Sequence, residues 1–557
     1  MTQCHRANNI DHHSHLNGSN YAFQSLSYGS NDTPSIKEAL SGPYRTDFIK
    51  AEDTEIDNLA ALQTLEIVNR DVVKDESAIL KSTWAYKIKR SPSGDILKFK
   101  ARLCVRGDLQ EKGLNFWETY SPVVGWPTIR LCLILSEKYG LHTHQVDYTN
   151  AFCQSPLNEE LYMEIPSRFT IPNGNKRDYV LKLKKSLYGL CQSSRNWFLH
   201  LKQSILTLGF TQSSVDPCLF YSDKVVILVY VDDAILLAKD KGFIAEVLSE
   251  LKTNFRLTDE GTLQSFLGIS IKKIQNEKIV LSQPALIKKV IHILGLEKGN
   301  SSPTPATNIL CKDEDGKERE YSWNYREVVG ILNYISQNTR PDITFAVSQV
   351  SRFSHCVKHS HELAIKRIGR YLLGSQERGM ILDPNDETFL HCYVDADFCG
   401  MWKKENSADP ISARSRTGYV LMYCGIPLLW VTKLQSEVSL STVEAEYIAL
   451  SQSMRDLLPT RELLLELLKI LGLPSVSKAK SICSVFEDNN GTIELAKCPK
   501  MRPRTKHIAI KYHHFRDHVG KDISVLPIDT IDQIADIFTK PLTKSKFLYL
   551  PKLLLGW

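Results

Sequence analysis

The stretch Val225–Ala238 constrains the fold of this chain more than any other. It reads Val-Val-Ile-Leu-Val-Tyr-Val-Asp-Asp-Ala-Ile-Leu-Leu-Ala. Two apolar runs, short and rich in β-branched residues, flank the adjacent carboxylates of Asp232 and Asp233. The pattern predicts two strands joined by a tight turn at Tyr230-Val231-Asp232-Asp233. Two neighbouring anions at such a tip repel each other, and a divalent metal held by oxygen ligands relieves both. Asp is also an ordinary turn residue. The hairpin alone therefore fixes structure, and the chemistry has to come from the rest of the chain.

A length of 557 residues leaves room for three or four units. The net charge of +6 permits a nucleic-acid partner without demanding one. Thirteen cysteines with no C-x-x-C pair exclude a zinc ribbon and a disulfide framework, and suit the reduced thiols of an intracellular protein. No apolar run is long enough for a membrane span, and no apolar core follows Met1, so neither a membrane partner nor a signal peptide is expected.

Residues 1–35 are polar and aperiodic and are expected to form a flexible leader. From Pro34 to Val73 the spacing of Leu59, Leu62, Leu65 and Val68 predicts a helix. Thr83–Lys89 and Leu97–Val105 alternate as strands around a turn at Ser91–Gly94, with Lys98, Lys100 and Arg102 on one face. Thr128–Tyr139 reads as helix, Gln145–Asp147 as a strand end, and Ser186–Leu190 as the opening of a helix that passes Trp197. Helices are predicted at 243–255 and 283–294, a polar linker at 298–320, and a helical block at 325–373. Strands at 391–397, 418–424, 428–432 and 482–486 alternate with helices at 441–454, 457–471 and 531–538. That order suggests a separate α/β unit.

Asp147, Asp232 and Asp233 form the first constellation of carboxylates. Carboxylates from separate strand ends can bridge two metals about 3.5–4 Å apart, as phosphoryl transfer requires. The motifs around them are shared with a known family. Val146-Asp147-Tyr148-Thr149-Asn150-Ala151-Phe152, Leu187-Tyr188-Gly189-Leu190 and Tyr230-Val231-Asp232-Asp233 resemble the reverse transcriptase of copia-type LTR retrotransposons. Lys100-Ala101-Arg102-Leu103, Phe266-Leu267-Gly268-Ile269 and the run from Tyr325-Arg326 through Arg340-Pro341-Asp342 to Ser351-Arg352-Phe353 agree in order and spacing. The resemblance covers nearly everything from residue 36 onward. It implies that the three aspartates are the polymerase metal ligands and that Arg102, with Lys98 or Lys100, meets the incoming triphosphate. It further implies that Phe152 gates the sugar and that Tyr188, Gly189 and Gln192 line the nucleotide side. Cys191 and Ser194 stand where the family pattern has Lys and Pro, which raises a decayed copy as an alternative.

The second constellation is Asp395, Glu446, Asp488 and Asp536, four carboxylates able to hold two metals around a scissile phosphate. Their surroundings, such as Tyr393-Val394-Asp395-Ala396-Asp397 and Ala535-Asp536-Ile537-Phe538-Thr539-Lys540-Pro541-Leu542, are similar to the family's RNase H. Asp488 also fits a helix N-cap, and Asp532 rivals Asp536 one turn earlier. Ser441-x-x-Glu444 has the spacing of a capping box. Two residues along a helix point about 200° apart, so Glu444 is assigned to structure and Glu446 to catalysis. Lys497, Lys500, Arg502, Arg504, Lys506 and Lys511, interleaved with His507, His513 and His514, read as a duplex-backbone grip in which a His assists product release.

The expected fold is therefore an α+β right-hand polymerase of fingers, palm and thumb followed by an α/β RNase H-like domain. The expected boundaries are 36–297 for the reverse transcriptase, 298–385 for a linker and helical connection, 386–545 for the RNase H-like domain and 546–557 for a C-terminal tail. The resemblance implies two Mg²⁺ (or Mn²⁺) ions per site. Its partners would be an RNA template, a DNA primer, an RNA–DNA hybrid and deoxynucleoside triphosphates. The implied setting is intracellular, in a cytoplasmic virus-like particle and the nucleus, on the pathway to DNA integration. The sequence shows no Asp-Thr/Ser-Gly and no His/Cys zinc module, so the protease and integrase parts of the polyprotein are not expected in this chain. The rival reading is a catalytically inactive or domesticated relic that still binds RNA–DNA duplex.

Overall fold

The computed structural model describes residues 32–90, 95–171, 175–274, 278–384, 389–404, 409–474, 481–498, 508 and 510–557. The expected leader (residues 1–31 of it) and the turn at Ser91–Gly94 lie outside the described residues. Near the start, helix α1 (Arg45–Ala61) packs on a two-stranded ribbon of β1 (Ser82–Arg90) and β2 (Ile96–Val105). Alternation decides which way the ribbon faces. Trp84, Tyr86, Ile88, Ala101, Leu103 and Val105 are buried on one side. The register pairs Lys87 with Lys100 and Lys89 with Lys98 on the other.

The helix expected to reach Val73 ends at Ala61, and Gln63 takes a left-handed φ of 52°. Leu65–Asn69 is instead a strand paired with Tyr179–Leu183. Leu65 and Val68 fit a helical spacing, but the β-branched pair Ile67-Val68 packs better on a pleated surface. Likewise Ser186–Leu190 opens no helix. Gly189 turns at φ 95°, where a Cβ would collide with the Val105 carbonyl, and the helix begins only after it.

The middle of the chain builds a six-stranded antiparallel sheet. Helix α2 (Trp126–Tyr139) leads through a left-handed Gly140 into strand β3 (His142–Tyr148), and helix α3 (Ser193–Thr207) follows. Next come β4 (Val225–Tyr230), β5 (Asp233–Ala238), helix α4 (Lys241–Asn254) and β6 (Leu257–Thr262). The strand order is β6-β3-β5-β4, completed by Leu219–Tyr221 and Thr211–Gln212. All six residues of β4 are buried, as its unbroken apolar run demands.

Helix α5 (Tyr325–Asn338) and helices Thr344–Ser351 and His359–Leu373 form the expected helical block. The polar segment 298–320 has no helix or strand, yet it is tied down. Arg319 pairs with the buried Glu362 at 2.9 Å, and the carbonyl of Cys311 lies 2.8 Å from His361 Nε2.

The last sheet comprises β7 (Leu390–Asp397), β8 (Arg416–Tyr423), β9 (Ile426–Leu434), β10 (Cys483–Glu487) and β11 (Ile523–Pro527). Its order is β9-β8-β7-β10-β11, antiparallel through β9, β8 and β7 and parallel from β7 to β11. Helix α6 (Thr442–Ile470) precedes β10. It is one helix of 29 residues where two were expected. Pro459 should break it, but buried Leu457, Leu463 and Leu464 on both sides outweigh the local cost. Only Ile534–Phe538 of the late helix forms, as a 3₁₀ turn. The expected tail belongs to helix α7 (Lys544–Leu555), which buries Leu550, Leu554 and Leu555. One apolar core runs from the central sheet through the helical block into the last sheet, and a second lies beneath the ribbon. Among the described residues no helix is long and apolar enough to cross a membrane.

Candidate active sites

Antiparallel pairing of β3 with β5 sets Asp147 opposite Asp233, so both carboxylates leave the same face at one end of the sheet. Asp232 lies in the turn between β4 and β5, and its carbonyl accepts a 2.6 Å hydrogen bond from the Tyr148 N–H. Val231 beside it has φ 56°, a costly conformation for a β-branched residue. The buried Trp197 indole donates to the Val231 carbonyl at 2.6 Å and holds the strained peptide in place. All three aspartates are half-buried. Burial first, and then the charge of Asp232, raises the pKa of Asp147. Burial, Asp232 and Asp147 together push Asp233 up to about 7. These carboxylates disfavour one another's charge.

Glu260, which sequence reasoning missed, adds to that repulsion at both Asp147 and Asp233. It occupies the bulge where β6 slips register against β3, between Asp259 and Gly261. The Asp-Glu-Gly run was its sequence signal.

The ribbon supplies positive charge. Burial, with Lys89 and Arg102 adding to it, lowers the pKa of Lys100 to about 8, and the charge of Lys100 in turn stabilises ionised Asp147. Lys98 is exposed. Lys87 and Lys89 share the face with Lys98 and Lys100 and were legible as the same period-two alternation on β1. Arg102 lies over the Tyr188 ring at 4.3 Å, and the Tyr188 and Phe152 rings are 5.2 Å apart. Phe152 is half-buried in the 3₁₀ turn Ala151–Gln154 just beyond β3.

Gln192 departs from expectation. It is 2% exposed, its amide donates to Asn115 O at 3.1 Å, and its carbonyl accepts from Gln110 at 3.2 Å. With both ends of the amide engaged, it braces the turn that carries Gly189 and does not face a nucleotide. Cys191 fits the same turn, its N–H donating to Gln110 Oε1 at 2.8 Å. Arg195 pairs with Glu118 at 2.6 Å.

In the last sheet, Asp395, Glu446 and Asp488 offer oxygen atoms within 4.8 Å of one another. They come from β7, from the second turn of α6 and from the end of β10. Asp395 and Glu446 are buried. Burial followed by the charges of Glu487, Asp395 and Asp488 raises Glu446 far above the usual carboxylate range. Burial is also the main cause that pushes Asp395 up to about 7, with Asp536 adding to it and Lys540 opposing. Glu446 Oε2 is buried without a hydrogen-bond partner. Asn489, not Asp488, caps the following helix, through a bond from the Thr492 N–H. Asp488 is thereby left to the cluster.

Asp536 stands outside the 4.8 Å group. Its carboxylate is gripped by Lys540 at 2.6 Å and by Lys546. Those two lysines pair with it beside Asp395, which Lys540 also approaches at 3.6 Å. Its rival Asp532 instead accepts from the Tyr549 hydroxyl at 2.9 Å. Thr539 donates to Asp395. Glu487, also missed, is fully buried beside the cluster and accepts from the Asn489 N–H at 3.0 Å. It falls in phase with buried Cys483 and Val485, which was its signal.

Glu444 behaves as a structural residue, with one difference. Its N–H donates to Ser441 Oγ at 3.2 Å, but its carboxylate reaches one residue further back, to the Leu440 N–H at 2.7 Å. Of the basic segment, Lys500, Arg502, Arg504, Lys506 and His507 lie outside the described residues. Lys497 ends a helix, and Lys511 pairs with Glu437. His513 Nδ1 lies 2.8 Å from the Tyr447 hydroxyl, and burial lowers the pKa of His513 and His514.

A strained carboxylate hairpin on an antiparallel sheet, faced by a basic ribbon, defines the class, and comparison names it. Residues 63–308 match the family described as reverse transcriptase (RNA-dependent DNA polymerase). Over 529 residues the chain is 34% identical to the retrovirus-related Pol polyprotein from transposon TNT 1-94 of Nicotiana tabacum, covering 92% of this chain and 38% of that protein. It is 34% identical over 475 residues to the Pol polyprotein from transposon RE1 of Arabidopsis thaliana, covering 84% and 31%. The chain thus spans about a third of the length of these relatives. It belongs to the copia-type retrotransposon Pol family and carries that family's reverse transcriptase domain. Among solved structures, a foamy viral protease-reverse transcriptase in complex with double-stranded DNA is similar at 12% identity and TM-score 0.44, over 87% of this chain and 70% of that one. That likeness is too remote to bear on fold or function.

Proposed function

We propose that the chain is an RNA-directed DNA polymerase with an attached ribonuclease H, each site working through two divalent ions, Mg²⁺ or Mn²⁺. The observation that carries the reading is the register placing Asp147 opposite Asp233, with Asp232 at the intervening turn, inside the matched reverse transcriptase region. Both donor sets are mutually repelling oxygen ligands, and on the second sheet they lie within 4.8 Å of one another with an unpartnered buried Glu446 oxygen, which fits such ions. Bound there, the ions would activate the attacking oxygen and steady the leaving one.

The chain's own residues do the remaining work in this reading. Asp147, Asp232 and Asp233 would hold the ions that align the reacting end of the primer with the nucleotide. Lys98, Lys100 and Arg102 hold the triphosphate, with Arg102 aimed by stacking on Tyr188. Phe152, backed by Tyr188, closes the space where a 2′-hydroxyl would sit. Asp395, Glu446 and Asp488 do the equivalent for RNA in the hybrid, while the pair of lysines on Asp536 balances charge beside them. The order of the last sheet and its carboxylates at strand and helix ends support an RNase H-like unit. Lys497 and Lys511 are the described members of the basic segment assigned to the hybrid backbone.

The deciding experiment is Mg²⁺-dependent extension of a DNA primer on an RNA template, read together with cleavage of the RNA. Both activities are expected. Duplex binding with neither activity would establish an inactive, duplex-binding relic instead.

A further inference from the structure

Arg130 projects from α2, the helix that feeds directly into the strand carrying Asp147, and it is 2% exposed. Among the described residues its guanidinium hydrogen-bonds no carboxylate. It donates instead to three carbonyls on two other elements: Leu428 O on β9 at 2.6 Å, and Gln337 O and Asn338 O at the end of α5 at 2.6 and 3.1 Å. The last carbonyls of a helix carry its negative dipole end, so a cation is favoured there. The same guanidinium lies 4.3 Å from the Trp430 ring on β9 and 5.6 Å from the Trp126 ring on its own helix. Trp430 completes the joint by donating from its indole nitrogen to Ser336 O at 2.9 Å. Burial lowers the Arg130 pKa to about 9, which marks a charge kept dry at some cost.

The position of this joint gives it meaning. β9 is the edge strand of the sheet whose third strand, β7, bears Asp395. α2 packs directly on β9. The apolar core is continuous across this boundary, and Arg130 is a buried charge lodged in it, so its directional bonds fix the register of two surfaces that apolar packing alone leaves free to slide. We propose that Arg130 is a positioning residue that pins the polymerase sheet to the nuclease sheet, so that RNA is cut at a set distance behind the growing primer end. This rests on the function proposed above.

The test compares wild type, Arg130→Met and Trp430→Phe in the full chain. Fluorophores on unnatural residues replacing the exposed Asp223 and Lys521 report the distance between the two sheets. In parallel, the RNA strand of an extending hybrid is mapped for cut positions. Wild type should give a narrow distance distribution and a dominant cut. Arg130→Met should lose the dominant cut and broaden the distances, while each activity on a substrate too short to span both sites is kept. A folded Arg130→Met with narrow distances and an unmoved cut would overturn the proposal, because a merely structural Arg130 would alter melting and nothing else. Should Arg130→Met fail to fold, Trp430→Phe decides by the same two readouts. If wild type neither extends nor cleaves, the function proposed above fails, and the distance distributions still decide the pin.

Discussion

The two carboxylate clusters neutralise themselves in different ways. At the central hairpin, Asp147, Asp232 and Asp233 are half-buried, and the lysine whose charge reaches Asp147 most strongly sits on a separate ribbon. In the last sheet, Asp395 and Glu446 are buried, and two lysines from the same C-terminal stretch are locked onto Asp536 beside them. The first site borrows its cations from a separate element, the ribbon. The second has them built in. A polymerase that must admit a nucleotide at every step gains from the first arrangement, and a site that acts on a passing duplex gains from the second.

The largest effect should come from breaking one cluster alone. Asp232→Asn should lower DNA synthesis roughly a thousand-fold or more, since it removes a ligand worth several kcal/mol in the transition state. Cleavage of a preformed hybrid should persist, because the other carboxylates lie on a different sheet. Parallel primer-extension and cleavage assays check this, and near-normal extension would mean the hairpin is not the polymerase site.

The mirror experiment sharpens the contrast within a single helix. Glu446→Gln should remove cleavage to a similar degree while synthesis continues. Glu444→Gln should cost about 1 kcal/mol of stability, the worth of a helix-end contact, through its bond to the Leu440 N–H. Cleavage rates and melting temperatures separate the two. Loss of cleavage on changing Glu444, with Glu446 dispensable, would invert the assignment.

What the sequence displayed and what it hid follow the same division. The hairpin was legible because its apolar runs and its two aspartates are contiguous, so register needed no distant partner. Asp147 was legible through its motif, but its exact opposition to Asp233 is a product of strand pairing. Asp536 was legible through its motif, but its pairing with Lys546, ten residues on, is a product of the fold. Glu487 was hidden for the opposite reason, since its neighbour Asp488 drew the attention and only burial shows both to be present. Gln192 carried a family motif, yet Gln110 and Asn115, some eighty residues away, absorb its amide. The single helix across Pro459 could not be read locally, because packing of distant leucines settles it.

Phe152 offers a smaller effect on the polymerase side. Its ring is half-buried, rests 5.2 Å from that of Tyr188 and packs where the two apolar cores meet, so it has a firm wall behind it. Phe152→Val should shift preference towards ribonucleotides by on the order of ten- to a hundred-fold, the range for one small steric difference in a pocket. Deoxynucleotide incorporation should survive. Single-nucleotide kinetics with both precursor types measure it, and an unchanged sugar preference would leave Phe152 as core packing only.

The smallest effect tests the borrowed cation directly. Burial and its cationic neighbours lower the Lys100 pKa to about 8, so its ammonium is charged below that pH and loses its proton as pH rises through it. A neutral amine grips a triphosphate poorly, so KM for the nucleotide should climb between pH 7 and 9, by roughly ten-fold at most for one charged hydrogen bond. Bound triphosphate favours the charged form, so the rise starts at the free-enzyme pKa and levels off only at the higher pKa of the complex. Lys100→Arg should flatten the profile, because a guanidinium keeps its proton throughout this range. The nuclease should behave differently over the same interval. Burial disfavours the Lys540 charge, but Asp395 and Asp536 more than compensate and raise its pKa, so its built-in cation is not lost. A synthesis KM that rises with pH while hybrid cleavage holds its KM would confirm that one site borrows its charge and the other owns it. A flat nucleotide KM in the wild type would remove Lys100 from the triphosphate grip and leave Lys98 and Arg102 to carry it.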